Sequence, residues 1–158
     1  MRSLLAALIL LSALAGAETA VLRPGDNLPA LKLNDQHERP YAIPANTRVL
    51  LVTADKASGG LAHEVLKDIP QAEQERRGIV YVADLSGMPS VITNMFALPK
   101  MRDYGYRIMI GLESGQTAML PRAADAVTLV ELESGRIKSV EEVRDVPSLK
   151  ARLDAITP

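Results

Sequence analysis

Residues 48–60 read RVLLVTADKASGG, an unbroken apolar run rich in β-branched side chains that gives way to a short polar loop ending in paired glycines. A run without polar alternation is the pattern of a strand covered on both faces, so residues 48–53 are expected to form the central strand. Downstream, Leu61, Ala62, Val65, Leu66 and Ile69 recur at helical spacing until Pro70 interrupts. That helix is expected to resume through residues 71–77 and to stop at Gly78. Residues 79–83 (IVYVA) read as a second buried strand. Met88, Val91, Ile92, Met95 and Phe96 then follow the spacing of an amphipathic helix. Its stripe, methionines included, is expected to face the core, with Pro99 ending it.

The outer segments complete the pattern. Residues 24–44 suggest an N-terminal hairpin, Leu31 and Leu33 alternating with polar neighbours before a turn at Asn34-Asp35 and a return through Tyr41 and Ile43. Residues 106–112 (YRIMIGL) read as a third strand, Ser114-Gly115 as a hairpin turn and residues 117–120 as the return. Residues 126–132 and 136–143 flank Ser134-Gly135 as a further hairpin. Pro147, Leu149, Leu153 and Ile156 mark a C-terminal helix. Strands alternating with helices pair in parallel through right-handed crossovers, and the later hairpins add antiparallel strands. The expected class is therefore α/β, a mixed central sheet with helices on both faces.

Composition narrows the chemistry. The chain has 158 residues, 18 basic and 19 acidic, with no cysteine and no tryptophan. Absence of cysteine excludes a thiol nucleophile, a redox dithiol, an iron–sulfur cluster, Cys-containing zinc sites and a lipid-modified N-terminal cysteine. The near-neutral charge balance and scarcity of aromatics argue against nucleic acid as a partner. Met1-Arg2, the run LLAALILL at residues 4–11 and Ala15-Gly16-Ala17 have the order of a cleavable signal peptide, residues 1–17, with cleavage after Ala17. The apolar stretch is short of the roughly 20 residues that span a bilayer. The expectation is a single domain over residues 18–158, without a membrane anchor once mature and located in the periplasm or secreted.

Three stretches taken in order, PGDNLPALKLND at residues 24–35, RVLLVTADKASGG at 48–60 and YRIMIGLESGQ at 106–116, resemble the thioredoxin-like superfamily in its peroxiredoxin and alkyl-hydroperoxide-reductase style. The resemblance implies a three-layer thioredoxin-like fold. It is closest to exported members without cysteines, some known as FAD/FMN-containing dehydrogenases. No G-x-G-x-x-G follows a strand, so the residues give flavin no support, and no cofactor is expected. In redox-active members the loop after the central strand carries the reactive cysteines, where this chain has Thr53-Ala54-Asp55-Lys56-Ala57-Ser58-Gly59-Gly60. Members also carry a cis-proline ahead of the third strand, where this chain has Gly105-Tyr106-Arg107, with Arg107 in its place. Both departures imply loss of thiol–disulfide exchange, which needs an attacking thiolate.

Candidate binding residues follow from that face. Asp55, Lys56, Ser58, Gly59 and Gly60 lead into a helix N-terminus where backbone can approach a ligand closely. Ser58 and Asp55 equally fit a simple helix cap. Tyr104, Tyr106 and Arg107 lie just before the third strand, and tyrosine and arginine are favoured in binding hot spots. They are expected to share a surface with Lys56. No catalytic residue is assigned: Ser58 would need His37 or His63 as base, and His63 is expected to point to solvent. No metal site is expected, the two histidines lacking a ligand spacing. Glu131, Glu133, Glu141 and Glu142 read as a polar outer face. The leading expectation is a non-catalytic, redox-inactive module that binds an envelope protein or peptide. An enzyme of non-thiol type using Asp55, Lys56, Tyr104 or Arg107, and a structural subunit of an envelope assembly, are the alternatives.

Overall fold

The computed structural model describes residues 19–158. The signal peptide expected over residues 1–17 lies outside the described residues. The chain runs β1 (Leu33–Asp35), β2 (Pro40–Tyr41), β3 (Val49–Thr53), α1 (Lys56–Leu66), α2 (Gln71–Arg77) and β4 (Ile79–Asp84). It continues with α3 (Ser90–Ile92), a π-helical turn (Thr93–Ala97), α4 (Leu98–Arg102), β5 (Ile108–Gly111), α5 (Ser114–Thr117), β6 (Val127–Glu133), β7 (Arg136–Val143) and α6 (Val146–Asp154).

One seven-stranded sheet in the order β2-β1-β5-β4-β3-β6-β7 forms the framework. β3, β4 and β5 are parallel, whereas β1, β2, β6 and β7 join antiparallel, which gives the mixed sheet expected. Every residue of β3 is buried, as the run at 49–53 requires. Because strand side chains alternate, the sheet separates two cores. Val49, Leu51, Ile79, Tyr81, Ile108 and Ile110 face α1, α4 and α6 through Ala62, Leu66, Leu98, Leu149 and Leu153. Leu50, Val52, Val80, Val82 and Met109 face the other way, toward Leu31, Leu33, Leu120 and Ile137. Both crossovers from β3 to β4 and from β4 to β5 step the same way along the sheet, so right-handedness puts their helices on one face. Among the described residues the second face carries the one-turn α5 and the loops beside it.

Local chemistry explains the boundaries. Asp55 caps α1 by accepting from the Ser58 amide at 2.8 Å, with Ser58 Oγ returned to the Asp55 backbone. Gly78 ends α2 at φ +69°, and a Cβ there would meet Asn46 O at 2.4 Å, so only glycine fits. Asp145 caps α6 through the Ser148 amide.

Four expectations need correction. The turn of the N-terminal hairpin is at residues 36–39, one step beyond Asn34-Asp35, because Asp35 Oδ1 draws in the amides of His37 and Arg39 while Asn34 and Asp35 pair with β5. Ser114-Gly115 does not turn a hairpin: Gln116 Oε1 accepts from the amides of Leu112 and Glu113, closing a capping box that winds Ser114–Thr117 into a helix. Residues 117–120 are consequently no strand, and Leu120 plugs the second core. Pro99 does not end the third helix, because the π turn, with the Leu98 amide on Thr93 O, carries the chain past it into α4. The same turn inserts about one extra residue, swinging the following face by roughly 100°. Beyond the turn, core contacts fall on Leu98 and Met101. The expected core stripe, which begins before the turn, faces outward because Thr93 and Leu98 are the side of this helix that packs on the sheet: Val91, Ile92, Met95 and Phe96 are 61%, 43%, 64% and 61% exposed.

Candidate functional site

The carboxyl ends of β3 and β4 open into a groove of about 420 Å³. Crevices outside strand carboxyl ends are where open α/β sheets commonly take ligands. One wall is α1, contributing Lys56, Gly59, Gly60, His63 and Glu64; the other is the α3–α4 helix, contributing Met88, Ile92, Phe96, Lys100 and Tyr104. Thr53, Tyr81 and Ala83 make the floor. This is the place of the loop at residues 53–60, so the chain has a groove where the resemblance puts the cysteines of redox-active members.

The floor is tied together by hydroxyls and rings. Tyr81 Oη and Thr53 Oγ1 are hydrogen-bonded at 3.0 Å, and burial pushes the Tyr81 phenol up to about 12. His63 Nδ1 is 2.7 Å from Tyr106 Oη, and the imidazole lies flat on Tyr104, with centroids 4.0 Å apart. Burial lowers the His63 pKa from its ordinary 6.5, Lys100 and Lys67 add to the effect, and Glu64 opposes it. Burial also drives the Tyr106 phenol upward, so both groups are held in their neutral forms.

Of the residues singled out in the sequence, Asp55, Lys56, Gly59, Gly60 and Tyr104 line the groove. Both glycines leave the α1 wall low: a Cβ at Gly59 would approach Tyr81 Oη at 3.7 Å, and one at Gly60 would meet nothing within 4 Å. Asp55 lies at the groove's end with its carboxylate committed, Oδ1 to the Ser58 amide and Oδ2 to the Asp125 amide at 2.9 Å. Burial works against that charge, but the amides of Ser58 and Asp125 and the Ser58 hydroxyl outweigh it and lower the pKa. Ser58 is fully buried as the partner in the cap, so its hydroxyl does not reach a ligand.

Tyr106 and Arg107 separate. In extended backbone, neighbouring side chains point to opposite faces. Tyr106 therefore lies buried under His63, whereas Arg107 goes to the second face. There its Nε is 2.8 Å from Asp35 Oδ2, its Nη2 donates to Pro40 O and its guanidinium sits 4.0 Å over the Tyr41 ring. The surface expected to join Arg107 with Lys56 does not form. His63, expected in solvent, is instead the centre of the aromatic cluster. Its position seven residues after Lys56 on α1 was the available signal, since two helical turns bring it back to the same face. Ile92, Phe96 and Lys100 were missed because the apolar stripe was expected to face the core, whereas it faces the groove.

The acidic residues of the groove are each held by a partner. Asp55 is capped by amides, Asp84 pairs with Arg122, and Glu64 pairs with Lys67 at 2.6 Å. No group of three or more potential metal ligands occurs among the described residues. No helix among them is long and apolar enough to cross a membrane.

No family model matches the sequence, and no curated protein matches it significantly. Solved structures do. The peroxidoxin BcpB of Mycobacterium tuberculosis is similar over 87% of this chain and 99% of its own, with a TM-score of 0.54 and 15% identity. The exposed lipoprotein thioredoxin of Streptococcus pneumoniae covers 80% of this chain and 98% of its own, with a TM-score of 0.54 and 13% identity. A peroxiredoxin-like protein of Aquifex aeolicus covers 89% and 91%, with a TM-score of 0.52 and 8% identity. Sequence order, sheet topology and these likenesses agree that the chain has the thioredoxin-like fold, built without a single cysteine.

Proposed function

We propose that this chain is a non-catalytic peptide-binding module that captures an extended segment of another protein in the groove between α1 and the α3–α4 helix. The observation that carries this reading is the exposed apolar stripe: Ile92 and Phe96 enter the groove while Val91 and Met95 continue the same surface outside it. Apolar side chains left in water beside a concave site are the ordinary mark of a recognition surface. The carboxylates of the groove are hydrogen-bonded or ion-paired and its histidine is hydrogen-bonded and stacked, which favours binding over the enzyme alternative. Its concave shape favours a peptide over the flat contact of a passive assembly subunit. Export to the cell envelope, inferred from residues 1–17, belongs to the same reading.

Titration of isotope-labelled protein with capped apolar octapeptides, followed by amide and methyl NMR shifts, tests the assignment. Shifts confined to Gly59, Gly60, His63, Met88, Ile92 and Phe96 are expected. Shifts centred on the second face, around Leu31 and Leu120, would overturn it.

A further inference from the structure

Resting on that reading, we infer that the groove selects an apolar segment carrying two carboxylates three residues apart, one for Lys56 and one for Lys100. The acids of the groove are each committed to an amide, an arginine or a lysine, as described above, whereas its two lysines make no ion pair among the described residues. Both ammonium groups are exposed, one on each wall. Asp55 keeps its charge, so the groove together with Lys67 and Arg122 carries a net charge of +1, with two unpaired ammonium groups over an apolar trough.

Geometry sets the spacing. Lys56 opens α1, and Lys100 stands on the facing wall four residues before Tyr104, whose ring stacks on His63. From residue 56 to residue 63 the helix rises about 10 Å at 1.5 Å per residue. An extended chain covers about 10 Å in three residues at roughly 3.3 Å each. An odd spacing also sends the two side chains to opposite sides of the strand, which matches lysines on opposite walls. The residues between and around them would lay apolar side chains against Ile92, Phe96 and Met88.

The probes are two fluorophore-labelled, capped octapeptides, SLELFELS and its neutral counterpart SLQLFQLS, measured by anisotropy at about 20 mM and about 300 mM NaCl, a range over which screening rises steeply. The acidic peptide is expected to bind about fivefold tighter at low salt, a preference that shrinks at high salt and vanishes in the Lys56→Gln/Lys100→Gln variant. That variant is expected to keep its melting temperature, since both lysines are exposed. Equal affinity of wild type for both peptides, or a preference that survives in the variant, would overturn the charge selection while leaving peptide capture standing. Binding of neither peptide would overturn both. Displacement of the acidic peptide by vesicles of phosphatidylglycerol, with the protein sedimenting with them, would reassign the lysines and the apolar stripe to a membrane surface and overturn the inference.

Discussion

The imidazole of His63 is stacked on the ring of Tyr104, 19° from parallel, while Tyr106 Oη, 2.7 Å away, holds its Nδ1. Two phenols thus clamp a neutral histidine into one wall of a groove. A ring that is more easily protonated in the unfolded chain than in the folded one makes stability depend on pH.

The direction follows from proton counting. The folded pKa of His63 lies below the ordinary 6.5, so in the window beneath 6.5 the unfolded chain binds more protons. The contribution of His63 is present in full above that value and is lost as the pH falls toward the folded pKa. Thermal melts between pH 8 and pH 5 are expected to show this loss, with a shallower slope in His63→Phe, which keeps the stack but cannot titrate. Parallel pH profiles would contradict the assignment.

Asp35 is covered by protein and joins Arg39, Arg107 and two backbone amides. Burial opposes its charge, yet the Arg39 and His37 amides and the Arg107 and Arg39 guanidinium groups prevail and lower its pKa from 3.8 to about 2. Its contribution is present above 3.8 and is lost as the pH falls through about 2. Asp35→Asn is expected to cost ~2 kcal/mol in urea unfolding at pH 7 and nearly nothing at the acid limit.

Gln36 substitutes for a strand partner: its Nε2 donates to Tyr106 O at 2.7 Å, and its Oε1 accepts from the Ile108 amide at 2.9 Å. Both bonds are buried. Gln36→Leu leaves a carbonyl and an amide without partners, and a loss of about 2–4 kcal/mol is expected in denaturant titration. Gln36→Glu, retaining the acceptor alone, should also destabilise.

Gly111 carries α5 on its bare face. A Cβ there would meet Thr117 Cγ2 at 2.7 Å, and Thr117 is fully buried with a stiff β-branched side chain. Gly111→Ala is expected to cost about 1–3 kcal/mol. Adding Thr117→Ser removes the clashing methyl and should recover part of it, a non-additivity readable in a double-mutant cycle.

Much of this architecture is legible in the residues themselves, for reasons that differ by element. The strand at 49–53 announces itself because burial on both faces leaves no room for polar side chains, and Gly78 marks the end of α2 because no other residue fits there. The α3–α4 helix misleads because apolar periodicity reports which side chains share a face, not which way that face looks. Here Thr93 and Leu98 meet the core, and the stripe looks outward. The site was half legible for a related reason. Lys56, Gly59 and Gly60 follow from the strand–loop–helix pattern alone, but the fates of Tyr106 and Arg107 depend on strand parity, and that of His63 on Tyr104, 41 positions away in the chain.

The most direct test compares two substitutions of exposed apolar residues. Ile92→Asp/Phe96→Asp places charge in the groove, whereas Leu112→Asp alters a residue that is 51% exposed but lies outside it. Neither should lower the melting temperature by more than a few degrees, because neither site belongs to a core. In peptide anisotropy titrations the groove variant is expected to lose at least about tenfold in affinity, equivalent to 1.4 kcal/mol, and Leu112→Asp to bind as wild type does. Unchanged affinity in the groove variant, or an equal loss in both, would contradict the claim that this cysteine-free thioredoxin-like domain works by capturing a peptide between α1 and the α3–α4 helix.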